Sequence, residues 1–184
     1  MDSQISLKIE LFFENPLTPP RPRPTHYGVL YLLRREIITC FNNSALWAGI
    51  MIILAGVDLL GKFYAGNDDI GNVGSRFVTF LKYFNNISED DKDTIYQLRN
   101  SLLHSFGLYS VDSRGNIYKF TLGEDFPDFI KRDVDRYYIN VLKLKDLFNI
   151  AIENYYKDLK DNVGNLQSKF EIMFPRYGFI YMTP

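Results

Sequence analysis

Within six consecutive residues the chain places a guanidinium, a carboxamide and an imidazole: Arg99, Asn100 and His104. These groups suit phosphoryl transfer without a metal. Histidine titrates near neutrality and can take or give a proton. Arginine stays charged and grips phosphate oxygens as a planar fork, so it can stabilise a phosphorane. In RNA the nucleophile is internal. A base takes the proton of the ribose 2′-hydroxyl, the oxygen attacks the adjacent phosphorus, and an acid protonates the departing 5′-oxygen. Asn100 would orient His104 or the phosphate. One chain offers one histidine here, so a two-fold pairing of chains would supply the second proton-transfer group. The plain alternative is an Arg and a His that are solvated or tied into a local hydrogen-bond network.

The element that must position them reads as a helix. Ser88 is a candidate N-cap, and Glu89, Asp90 and Asp91 put negative charge in the first turn, where the helix dipole favours it. Gly107 is the expected stop. With about 100° and 1.5 Å per residue, Asn100 and His104 share a face. Arg99 and His104 diverge by about 140°, so they are expected to rim one groove without touching. Leu98, Leu102 and Phe106 mark the expected core side.

The run Arg99-Asn100-Ser101-Leu102-Leu103-His104 resembles the signature of the HEPN superfamily: an arginine, usually a polar residue next, and four to six residues between Arg and His. On helix arrangement the resemblance covers roughly residues 44–160. It implies a mainly α fold, a HEPN-like bundle of four to five core helices, into which the residues themselves add a small β-hairpin insertion. It also implies a site formed at a dimer interface. Two functions follow as expectations. One is a metal-independent endoribonuclease, the toxin of a toxin–antitoxin or defence system, leaving 2′,3′-cyclic phosphate ends with Arg99, Asn100 and His104 as catalytic residues. The other is a non-catalytic HEPN-like module that dimerises, or partners a nucleotidyltransferase-like protein, or binds a nucleotide.

Composition bounds these readings. The chain has 184 residues, 46% of them hydrophobic and 16% aromatic, enough for one folded domain over 1–184. Its net charge of −1 provides no global field for nucleic acid, so RNA would need a local basic patch. Arg76, Lys82 and Arg114 are the weak substrate-binding candidates; Lys119, Lys131, Arg132 and Arg136 could join them. Cys40 is the only cysteine and there are two histidines, so neither an intrachain disulfide nor a zinc site is expected. No phosphate-binding or dinucleotide glycine motif occurs, and no cofactor is expected. A reducing cytoplasm is the expected compartment, because the N-terminus carries no secretory leader.

Along the chain, Ile5, Leu7, Ile9 and Leu11 alternate with polar residues, which admits an N-terminal strand. Pro16, Pro19, Pro20, Pro22 and Pro24 then make a stiff connector up to residue 24, with Arg21 and Arg23 between them. Residues 25–107 are the helical core. Its first helix, over 25–42, opens with His26, which is assigned no role. Residues 45–57 form an apolar run shorter than the roughly 20 needed to span a membrane, so a buried helix is preferred. Asp58, the lone carboxylate in that helix, would pair with Arg99 or Arg76, or mark where the helix reaches solvent; the last is preferred. The loop 66–74 lacks the spacing of a calcium loop. A short helix over 75–84 buries Phe77, Phe80, Leu81 and Phe84 and leaves Arg76 and Lys82 on its polar surface. A β-hairpin is expected over 108–124, with a third short strand over 136–140. A long helix over 140–162 and an aromatic segment over 163–184, docked on the bundle or across a dimer, complete the chain.

Overall fold

The computed structural model describes residues 3–15, 17 and 26–181. The elements in order are α1 (Ser3–Phe12), β1 (His26–Gly28), α2 (Val29–Asn42), α3 (Leu46–Ala65), α4 (Val73–Phe80), α5 (Glu89–Ser105), β2 (Tyr109–Val111), β3 (Ile117–Gly123), β4 (Ile130–Asp133), β5 (Arg136–Asn140), α6 (Val141–Lys160), α7 (Leu166–Tyr177) and β6 (Phe179–Tyr181). The architecture is mainly α with a small sheet beside the helices.

Helix α3 is the axis of the bundle and packs against α2, α4, α5, α6 and α7. Its small residues permit this. A Cβ on Gly56 would lie 2.5 Å from Phe148 Cζ of α6, so the closest approach needs glycine. By length and composition α3 could cross a membrane. Ile50, Ile53, Leu54, Leu60 and Phe63, however, are buried against neighbouring helices, as in the core helix of a bundle.

The N-terminal strand is corrected to a helix. In α1, Ile5, Ile9 and Phe12 are buried, while Leu7 is 67% exposed. Residues four apart satisfy both period two and period 3.6, so Ile5 and Ile9 fit either element. Phe12 follows the helical period, and its ring packs 4.5 Å from Phe63 and 5.5 Å from Phe170. The first core helix also begins later than expected. His26–Gly28 is extended and pairs antiparallel with β6 at the far end of the chain. The proline-rich connector, with Arg21 and Arg23, lies outside the described residues.

The expected hairpin is part of a four-stranded sheet of order β2-β3-β5-β4. Strands β2 and β3 pair antiparallel, β4 and β5 likewise, and β3 runs parallel to β5. The turn between β2 and β3 is built on Asp112. Its Oδ2 accepts from Asn116 Nδ2 (2.8 Å), and its Oδ1 accepts from the backbone N–H groups of Arg114 and Asn116 (both 2.9 Å). The Asn116 side chain, and then these backbone donors, hold the carboxyl down at about 2. A depressed folded-state pKa stabilises above the ordinary carboxylate value, and that contribution disappears as pH falls through about 2. The Arg114 and Asn116 amide resonances are therefore expected to hold at pH 4 and shift only near pH 2. A midpoint near the ordinary carboxylate value would contradict this.

Helix α7 docks on α3 and buries Leu166, Phe170, Met173 and Phe174. Tyr155 of α6 is fully buried, with ring centroids 5.6 Å from both Phe80 and Tyr83. Its hydroxyl has no hydrogen-bond partner among the described residues, and burial pushes the phenol above its ordinary range. Tyr155→Phe removes a desolvated polar group without changing shape. It is expected to raise stability by about 1 kcal/mol in chemical denaturation. A loss of stability would mean that the hydroxyl has a partner after all.

Candidate functional site

The helix bearing the Arg/His run starts as its sequence demands. Ser88 Oγ accepts from Asp91 N, and Asp91 Oδ2 accepts from Ser88 N, both at 3.1 Å, a reciprocal capping box. Ile95, Leu98 and Leu102 are buried and fix the rotation of α5 against the bundle. Ser101 is also buried, and its Oγ donates to the Leu98 carbonyl at 2.9 Å. That rotation carries Arg99, Asn100 and His104 to the boundary between core and solvent.

Asp58 of α3 meets them there. Its Oδ2 accepts from Arg99 Nε at 2.8 Å and from Arg99 Nη2 at 2.7 Å. Arg99 Nη1 then donates to Asn100 Oδ1 at 3.1 Å and lies in hydrogen-bond contact with His104 Nε2. The Arg99 and Asp58 side chains are 11% and 19% exposed, whereas His104 is open to solvent. Two expectations are corrected by this geometry. Asp58 is an ion-pair partner, not a marker of where α3 meets solvent. Arg99 and His104 do touch, because five residues rise only about 7.5 Å and the long guanidinium arm reaches across the remaining angle.

The contact defines the imidazole. Arginine nitrogens only donate, so His104 Nε2 is the acceptor in this contact. Nε2 then presents a lone pair beside a guanidinium that Asp58 holds from behind. Of the three roles the sequence admits for Asp58, the pairing with Arg99 is the one realised, not the preferred solvent boundary. Its signal was there: a single carboxylate in an otherwise apolar buried helix needs a cation.

The three weak substrate-binding candidates do not join this group. Arg76 is buried, not on a polar surface, and its Nη1 donates to Asn67 Oδ1 (3.1 Å) and to the Asp69 carbonyl, bracing the loop before α4. Lys82 donates to the Tyr64 hydroxyl at 2.9 Å and lies over the Tyr64 and Tyr83 rings. Arg114 pairs with Asp112 in the hairpin turn. It also lines a cleft of about 710 Å³ with Arg132 and with Asp90, Asp91, Asp93 and Asp135, where carboxylates outnumber cations and disfavour a phosphate. Neither Arg99 nor His104 lines that cleft.

The C-terminal end of α5 also departs from expectation. Phe106, not Gly107, takes the left-handed cap conformation at φ 48°, and the Gly107 N–H reaches back to the Ser101 carbonyl at 3.1 Å. Instead of facing the core, Phe106 is 71% exposed. Among the described residues, no group of three or more His, Cys, Asp or Glu side chains is placed to hold a metal ion. Comparison with known proteins finds no matching family model, no matching curated protein and no matching solved structure.

Proposed function

We propose that the chain is a HEPN-like, metal-independent endoribonuclease, acting as the toxin of a toxin–antitoxin or defence system. The observation that carries this reading is the meeting of Arg99, Asn100 and solvent-exposed His104 around one guanidinium, braced by Asp58. A scissile phosphate would approach the exposed side and compete for Arg99 Nη1. His104 Nε2, released from that contact, takes the 2′-hydroxyl proton. The O2′–P bond forms, the P–O5′ bond breaks, and the 5′-oxygen leaves with a proton from an acid. A second copy of the chain, paired about this face, would supply that acid as a protonated histidine. Products end in a 2′,3′-cyclic phosphate and a 5′-hydroxyl.

One observation favours a second reading, a non-catalytic HEPN-like module. Arg99 is engaged within its own chain by Asp58, Asn100 and His104, as in a structural network. Such a module would dimerise through this face, or pair with a nucleotidyltransferase-like protein, or bind a nucleotide. The deciding experiment incubates wild type and His104→Ala with mixed structured and single-stranded RNAs in EDTA, followed by end-group analysis. Cyclic-phosphate ends from the wild type alone support the ribonuclease. Equal cleavage by both proteins, or by neither, favours the module.

A further inference from the structure

Phe106 combines two costs that folding alone would remove. A bulky residue at φ 48° pays a steric penalty that glycine avoids, and Gly107, the very next residue, does not take the position. The ring also stays 71% in water, although it follows directly on a helix that buries Ile95, Leu98 and Leu102. Backbone outliers that persist in this way are pointers to function. This one stands two residues beyond His104.

A second aromatic follows. The Phe120 N–H donates to the Leu108 carbonyl at 2.9 Å, and Ser110 Oγ donates to Gln97 Oε1 at 2.8 Å, which ties β2 back along α5. Leu108 packs against the core. Side chains alternate along a strand, so Tyr109 points the other way and is 52% exposed. Phe106 lies two positions after His104 and Tyr109 three after Phe106, within the reach of neighbouring nucleotides in a single strand.

We propose that Phe106 and Tyr109 form a stacking platform for the unpaired bases flanking the phosphate at Arg99 and His104, so that the substrate is single-stranded RNA. This rests on the ribonuclease reading. The charge around the platform is nearly balanced. Lys119 stands across from Tyr109 on the same sheet face, and Arg136 across from Lys119. Lys119 is paired with Asp135, however, and Asp133 stands across from Arg136. With a net charge of −1, attraction to the backbone is weak. Recognition therefore falls to ring stacking, which tolerates any base but requires it to be unpaired.

The test uses the full chain carrying His104→Ala, so that RNA stays intact, and reads binding of a short fluorescent single-stranded RNA by anisotropy, with its duplex as control. Adding Phe106→Ala is expected to weaken single-strand binding about tenfold, and Phe106→Tyr to preserve it. Phe106→Gly is expected to raise the melting temperature by about 2–4 °C while losing the same affinity, a split that a purely structural role would not produce. Affinity should fall only shallowly with salt, with a logarithmic slope near −1. Unchanged binding by Phe106→Ala, or equal affinity for duplex and single strand, overturns the platform. So does sedimentation showing that Phe106→Ala breaks a dimer without changing RNA affinity, because the patch would then be a contact between copies. The ribonuclease reading is judged separately, on wild-type cleavage: if that survives His104→Ala, that reading falls whatever Phe106 does.

Discussion

His104→Ala is expected to lower the rate of RNA cleavage by about 10²–10⁴-fold, the usual contribution of a positioned proton-transfer group. The fold should hardly register the change. His104 is exposed and its recorded contact is with Arg99, so stability is expected to stay within about 0.5 kcal/mol of wild type. Single-turnover kinetics beside thermal unfolding separates the two quantities. A chemical role predicts loss in the rate at saturating RNA with little change in apparent affinity. If His104 were only part of a structural network, the loss would appear in the unfolding curve. A variant that is well folded and fully active would remove His104 from the mechanism.

Asp58→Ala is expected to affect both stability and rate. Removing the carboxylate leaves the Arg99 guanidinium mostly buried without its counter-charge, and breaks two charge-assisted hydrogen bonds at 2.7 and 2.8 Å. The expected cost is about 2–3 kcal/mol, because charged hydrogen bonds matter more than neutral ones and the orphaned cation must be resolvated. Cleavage should fall as well, since Arg99 loses the partner that aims Nη1 at His104. The double variant Asp58→Ala/Arg99→Ala should recover part of the stability, because no unpaired charge remains, yet stay inactive. A thermodynamic cycle over the four proteins measures the coupling. Additive effects would mean that the pair is a solvated contact that positions nothing.

The helical centre of the protein was legible from residues 44–107 because its signals are local. Ser88 with Asp91, the acidic first turn, and the buried spacing of Leu98 and Leu102 act within one or two turns of a single helix. The apolar run of α3 and the β-prone residues around Asp112 and Gly115 are equally local. These patterns determined that α3 and α5 form, that a hairpin follows, and that Arg99, Asn100 and His104 share one helix. Elements whose identity rests on distant partners could not be read this way. Ile5 and Ile9 fit a strand or a helix until Phe63 and Phe170 supply the surface for Phe12. The parallel pairing of β3 with β5 and the β1–β6 ribbon join segments that carry no mark of one another. Arg76 is drawn inward by Asn67 and the Asp69 carbonyl, which no charge pattern announces. The same holds at the site. The sequence by itself determined which side chains were available for chemistry. Only the tertiary structure decided that Asp58, 41 residues before Arg99, grips its guanidinium, that Arg99 reaches His104, and that Phe106 stands out in solvent. Helical periodicity sets the direction in which a residue leaves its own helix, whereas packing between helices decides what it meets there.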